Sequence, residues 1–153
     1  MKSIKKFNEN SDCQYPLAAL ISIIYRTHNV YLNRRLEELD ITAGQVPFIL
    51  HLLKKENISQ NDFAKDLFID KGTVAVGLKK LEEKGLIKRK RLEVNKRKYV
   101  IYFTHLGRKI AVEIEKLNHE WEKSITDKLE NIKKESLMDI LEIMSLESIK
   151  ILE

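Results

Sequence analysis

Residues 59–89 read SQNDFAKDLFIDKGTVAVGLKKLEEKGLIKR, and the punctuation of this stretch decides the fold. Ser59 is followed three residues later by Asp62, a variant of the capping box, and Phe63, Ala64 and Leu67 supply an apolar face. The spacing predicts a short helix of about ten residues. Ile69-Asp70 makes a tight connection, with Asp70 placed to cap a second helix over Lys71–Lys84. Val74, Leu78 and Leu81 fall at i, i+4 and i+7 and form its buried stripe. Gly85 is its C-terminal stop. Two short helices joined by a tight turn make a helix-turn-helix.

Working outward, the period changes after Gly85. LIKRKRLEV (86–94) and RKYVIYF (97–103) flank a polar tip at Asn95-Lys96 and are rich in β-branched and aromatic residues, the signature of a two-stranded hairpin. Upstream, Tyr15–Leu39 has helical spacing, with Pro16 where a first turn tolerates it. Asp40-Ile41-Thr42 breaks that helix, and Thr42 is the expected N-cap of another running to about Lys55, with Pro47 in its first turn or kinking it. Downstream, Thr104 caps a long helix from His105 to about Glu130, and a last helix covers Glu135–Leu152. The expected fold is mainly α with a small β-hairpin wing: a winged helix-turn-helix over 41–104, flanked by helices over 1–40 and 105–153 in one subunit.

Composition narrows the function. The chain has 153 residues, 43% hydrophobic and 33% charged, with only 5 Gly and 2 Pro, which favours a helical domain with a real core over disorder. No apolar run approaches the roughly 18–20 residues of a membrane span, and the N-terminal MKSIKKFNENSDC has no hydrophobic signal segment. A single cysteine, Cys13, forms neither an internal disulfide nor a zinc pattern, so a reduced, cytoplasmic, soluble protein is expected. Phosphate-binding glycine loops, H-E-x-x-H and nucleophile signatures are missing, and His28, His51, His105 and His119 lack metal-ligand spacing, so catalysis is not expected. The net charge of +5 is uneven. Residues 71–110 carry thirteen Lys/Arg against three Glu, a balance of +10, whereas residues 1–70 balance to zero and residues 111–153 to −5. A basic block of that density suits a polyanion, with a solvated lysine face as the bland alternative.

The order of elements, together with three motifs, resembles the MarR family of winged-helix transcriptional regulators. Leu81–Arg89 (LEEKGLIKR) is similar to the family's L-E-x-K-G-L-I-x-R, FTHLGRK (103–109) to its L-T-x-x-G-R/K, and ITAGQVPFILHLL (41–53) to its L-T-x-x-Q-x-x-x-L. The likeness runs from about Tyr15 to the end. Two departures stand out. Asn95-Lys96-Arg97 occupies the wing tip where the family has D-x-R or D-R-R, and Ala75 and Val76 stand where small hydroxyl and arginine residues are common. Base reading would then use fewer hydrogen bonds and more contact with thymine methyls.

A recognition helix enters the major groove, which assigns base-edge contacts to Lys71, Thr73, Val76, Lys79 and Lys80. Gly72 and Gly77 allow close approach to the DNA, unless one of them packs against a neighbouring helix. Ser59 and Gln60, with free N–H groups at a helix start, suit a phosphate. Lys88, Arg89, Lys90, Arg91, Lys96, Arg97 and Lys98 line the hairpin, Arg97 being the minor-groove candidate. One such unit reads only a half-site, so a homodimer on a pseudo-palindromic operator is expected. Its contacts would come from Ile4 and Phe7 and from Leu137, Ile140, Leu141, Met144, Ile149, Ile151 and Leu152, unless these are ordinary core.

The resemblance further implies a repressor released by a small aromatic or anionic effector, and no bound cofactor. Tyr25, His28, Tyr31 and His51 could line the effector cleft, although core packing explains each equally well. One branch of the family senses peroxide through an N-terminal cysteine. Here that position aligns near Ala18, so Cys13 reads as an inert or interface thiol. The competing function is a winged helix used for protein or RNA contact; salt-dependent, sequence-selective binding to duplex DNA separates the two.

Overall fold

The computed structural model describes residues 15–91, 99–129 and 132–152. It divides into two units, one up to residue 111 and one over residues 112–153. The helices are α1 (Leu17–Arg35), α2 (Val46–Lys54), α3 (Gln60–Asp66), α4 (Lys71–Glu83), α5 (His105–Thr126) and α6 (Lys134–Lys150). Strands β1 (Ile87–Arg91) and β2 (Tyr99–Phe103) lie between α4 and α5. This is the mainly helical winged arrangement expected from the sequence.

Several boundaries differ from the expectation, for local reasons. α1 stops at Arg35 rather than Leu39. Leu36 is fully buried, and the chain then tightens into a 3₁₀ turn over Glu37–Leu39. Asp40 closes that turn at φ 52°, its N–H donating to the Glu37 carbonyl at 3.0 Å. Thr42 starts a second 3₁₀ turn, Ala43–Gln45, rather than an α-helix. The Thr42 N–H donates to Gln45 Oε1 (3.0 Å) and the Ala43 N–H to Asn33 Oδ1 (2.6 Å). Pro47 falls in the first turn of α2, where its missing N–H costs nothing. α3 has seven residues instead of ten, and α5 ends at Thr126.

The α4 boundary matches its signals. Gly85, at φ 68°, closes the helix while the Leu86 N–H donates to the Leu81 carbonyl at 3.0 Å. β1 and β2 pair antiparallel from Ile87↔Phe103 to Arg91↔Tyr99, and the expected tip, 92–98, lies outside the described residues. Ile58 extends this sheet by one bridge, accepting from the Ile101 N–H at 2.9 Å.

The core of the first unit is assembled from every element. Leu32, Leu52, Phe63, Leu78, Ile87 and Ile101 are essentially inaccessible, and burying each such side chain stabilises by about 1.5–3 kcal/mol. Phe48 and Phe63 meet edge-to-face at 6.2 Å. In the second unit Ile114 and Leu117 are buried, and Glu122 ties Lys134 at the start of α6 at 3.0 Å. α6 has no buried residue. Among the described residues no helix is long and apolar enough to cross a membrane.

The joint between wing and α5 is tight. Thr104 Oγ1 accepts the Gly107 N–H at 3.0 Å, confirming it as the cap, and donates to the Gly85 carbonyl at 2.7 Å. A Cβ on Gly107 would lie 1.8 Å from the Leu86 carbonyl oxygen. Gly107→Ala should therefore destabilise the fold by about 2–3 kcal/mol, read as a lowered midpoint in urea unfolding. An unchanged midpoint would mean that this joint has slack.

Candidate nucleic-acid interface

Asp70 caps α4 as expected. Its carboxylate accepts from the Thr73 N–H at 2.9 Å and from Thr73 Oγ1 at 2.5 Å. Val74, Leu78 and Leu81 form the buried stripe, joined by Gly77. A Cβ at Gly77 would lie 2.4 Å from a ring carbon of Phe48, so this glycine serves the crossing of α4 over α2. Lys71, Gly72, Thr73, Val76, Lys79 and Lys80 are all exposed, and Val76 presents 56% of its surface. Periodicity had separated these two faces correctly. Glu83, which sequence reasoning passed over, sits 3.6 Å from Lys79 and tempers its charge.

The arginines of β1 differ from one another. Arg89 Nε lies 3.1 Å from Glu82, and its Nη1 donates to Gln60 Oε1 at 3.5 Å, so it braces α3, α4 and the wing together. Arg91 donates from Nε to the Tyr99 hydroxyl at 2.6 Å and stacks on that ring at 5.2 Å. Its partner is neutral, so Arg91 keeps its full charge in a fixed orientation. Tyr99 and Glu82 were invisible as partners because both contacts depend on pairing register and helix placement. Lys88 and Lys90 are exposed. The tip residues Lys96, Arg97 and Lys98 lie outside the described residues.

Ser59 departs from the expectation of a free amide. Its N–H donates to Asp62 Oδ2 at 3.0 Å and its hydroxyl to the same oxygen at 2.8 Å, a formed capping box that occupies this donor. The hydrogen bonds from the Ser59 side chain and then its backbone hold the Asp62 carboxyl below its ordinary range. Asp70 is lowered likewise by the Thr73 side chain and then its backbone. Asp66, lowered first by Lys55 at 3.0 Å and also by His51 at 3.1 Å, pins α3 to α2.

His51 is thus engaged by Asp66 and lies edge-on to Phe63 at 5.4 Å. The other effector candidates lie on α1, Tyr25 exposed and His28 and Tyr31 half-buried. Of the expected dimer residues, Ile140, Leu141, Ile151 and Leu152 are exposed and Leu137, Met144 and Ile149 half-buried. The four exposed side chains are not part of a core within the chain. α1 leaves Leu17, Ile21 and Ile24 similarly exposed. Ile4, Phe7 and Cys13 lie outside the described residues.

Three comparisons bear on this surface. The family model described as MarR family matches residues 41–99. The chain is similar to the HTH-type transcriptional regulator BilQ of Clostridium symbiosum, 27% identical over 121 residues, covering 79% of this chain and 84% of that protein. Among solved structures, it is similar to a MarR transcriptional regulator from Methanosarcina mazei, at a TM-score of 0.80 and 30% identity, covering 88% of this chain and 97% of that one. It also shares its fold with MepR of S. aureus in a DNA complex, at a TM-score of 0.76 and 22% identity, covering 92% and 99% of the two chains.

The lowered carboxyls make the helix-turn-helix acid-sensitive. A carboxyl depressed in the folded state contributes fully above its unfolded value of about 3.9 and loses that contribution as pH falls through the folded value. Stability should decline below about pH 4. Asp70→Asn, which can still cap without ionising, should flatten part of that decline in urea midpoints measured from pH 5 downward. An identical acid limb in the variant would remove Asp70 from the account.

Proposed function

The chain belongs to the MarR family, and from that premise we propose that this DNA-binding transcriptional regulator reads a pseudo-palindromic operator as a homodimer. The observation that carries the reading is the exposed face of α4. Lys71, Gly72, Thr73, Val76, Lys79 and Lys80 share it, at the head of a segment with a balance of +10. The lysines supply donors for base edges and phosphates, the Thr73 hydroxyl, whose proton goes to Asp70, offers an acceptor, and Val76 supplies a methyl contact for thymine. Arg91, Lys88 and Lys90 extend the cationic surface along the wing, where phosphate contacts position without specifying sequence. The DNA complex of the similarly folded S. aureus MepR supports the same use of the fold.

Dimerisation rests on the apolar surface that a single chain leaves in water. Ile140, Ile143 and Leu146 on α6 are each at least half exposed, as are Leu17 and Ile24 on α1. Apolar surface of that density marks an association face, and a two-fold dimer presents two recognition helices to half-sites one turn apart. The action proposed at a promoter is repression, relieved by a small aromatic or anionic effector bound near Tyr25, His28 and Tyr31 of α1, with His51 contributing only if its bond to Asp66 opens.

Selection of bound duplexes from a random pool, with mass measured by light scattering, tests this reading. A pseudo-palindrome with half-sites one helical turn apart, bound by a species of twice the chain mass, is the expected result. Binding without sequence preference would favour an interaction module instead. On the selected duplex, Lys80→Ala should weaken binding and lower the slope of log affinity against log salt by about one. Ile140→Asp combined with Leu141→Asp should yield monomers that bind the full site poorly. A double variant that stays dimeric would move the interface elsewhere.

A further inference from the structure

Phe68 is the second residue beyond α3, following its C-cap Leu67, and its backbone is in the left-handed region at φ 52°. The Ile69 N–H donates to the Ala64 carbonyl at 3.1 Å across it, the helix-ending turn in which glycine normally occupies this position. The other non-glycine residues at positive φ among those described are Asp40 and Asn57. Their short polar side chains tolerate that backbone; a phenylalanine is strained there. Burial does not offset the strain, because 67% of the Phe68 surface is exposed. Neither local conformation nor core packing accounts for an aromatic ring at this position, and strain of this kind concentrates at functional sites.

Its place in the chain supplies the function. Phe68 stands two residues before Asp70, the cap of α4, and the exposed Lys71, Gly72 and Thr73 follow at once. Phe68 therefore stands exposed on the short connection into the end of α4 that enters the major groove on the regulator reading, on which this inference rests. We propose that Phe68 is a DNA-contacting residue that lays its ring against deoxyribose on the wall of that groove. The chemistry complements the lysines beside it. A neutral ring covering sugar C–H groups contributes affinity that salt does not screen, whereas each phosphate contact is weakened by salt.

Phe68→Asn and Phe68→Tyr separate this role from a structural one, since asparagine suits the left-handed backbone and tyrosine keeps the ring. Binding is measured on the wild-type-selected duplex across a salt series, with urea unfolding in parallel. Phe68→Asn should bind about tenfold more weakly at every salt concentration, with the wild-type salt slope and a urea midpoint at or above the wild-type value. Phe68→Tyr should bind as wild type does. Wild-type affinity in Phe68→Asn would overturn the proposal while leaving the regulator reading intact. A fallen urea midpoint, or a changed salt slope, would overturn it in favour of packing or of an effect on neighbouring cations. A wild-type protein that selects no preferred duplex would instead sink the regulator reading, and this inference with it.

Discussion

The Leu86 carbonyl is the point on which the winged helix-turn-helix turns. It accepts the Thr104 N–H at 3.0 Å, and Gly107 backs onto it so closely that no side chain fits between. One residue earlier, the Gly85 carbonyl accepts from the Thr104 hydroxyl. The end of α4, the start of β1 and the cap of α5 thus converge on three or four backbone groups. β2 ends at Phe103, paired with Ile87, so the wing inherits its orientation from the same joint. A wing and a recognition helix can act on one duplex only if the angle between them is held, and close-packed hydrogen bonds to the backbone, with no room for a side chain at Gly107, hold it.

Within that frame, charge is sorted rather than merely accumulated. Lys84 is bound to Asp40 at 3.0 Å, Arg89 to Glu82, and Arg108 to Glu56. These cations fasten the loop before α2, the strand β1 and the start of α5 to their neighbours. Lys71, Lys80, Lys88, Lys90 and Arg91 have no carboxylate partner among the ion pairs described and face solvent. The balance of +10 over residues 71–110 therefore overstates the charge a polyanion would meet on this surface, and the braced cations mark which elements must stay rigid. Arg91 is the intermediate case, oriented by the neutral Tyr99 and so held without losing charge.

The apolar surface is divided in the same way. α2, α3 and α4 direct their large side chains inward, where Leu52, Phe63 and Leu78 are inaccessible. α6 buries none of its side chains fully, and α1 only Leu32. A helix whose apolar residues are left in water is stable only if another surface covers it.

The sequence by itself determined the elements whose signals are local. Asp70 and Gly85 bound α4, the Val74, Leu78 and Leu81 stripe orients it, and Thr104 caps α5, because caps and periodicity act within one or two turns of chain. The exposed face of α4 followed from the same periodicity. The 3₁₀ turns that shorten α1 and precede α2 were hidden, since they arise where Leu36 is drawn into the core and Asn33 accepts from Ala43. Hidden too were the capping box that occupies the Ser59 amide, the Arg91–Tyr99 register and the strain at Phe68. Gly77 was legible only as a choice between two roles, and Phe48 decided it. Which cations are braced, which glycine is a packing site and which ring is left in water depend on partners distant in the chain, and only the tertiary structure decides those.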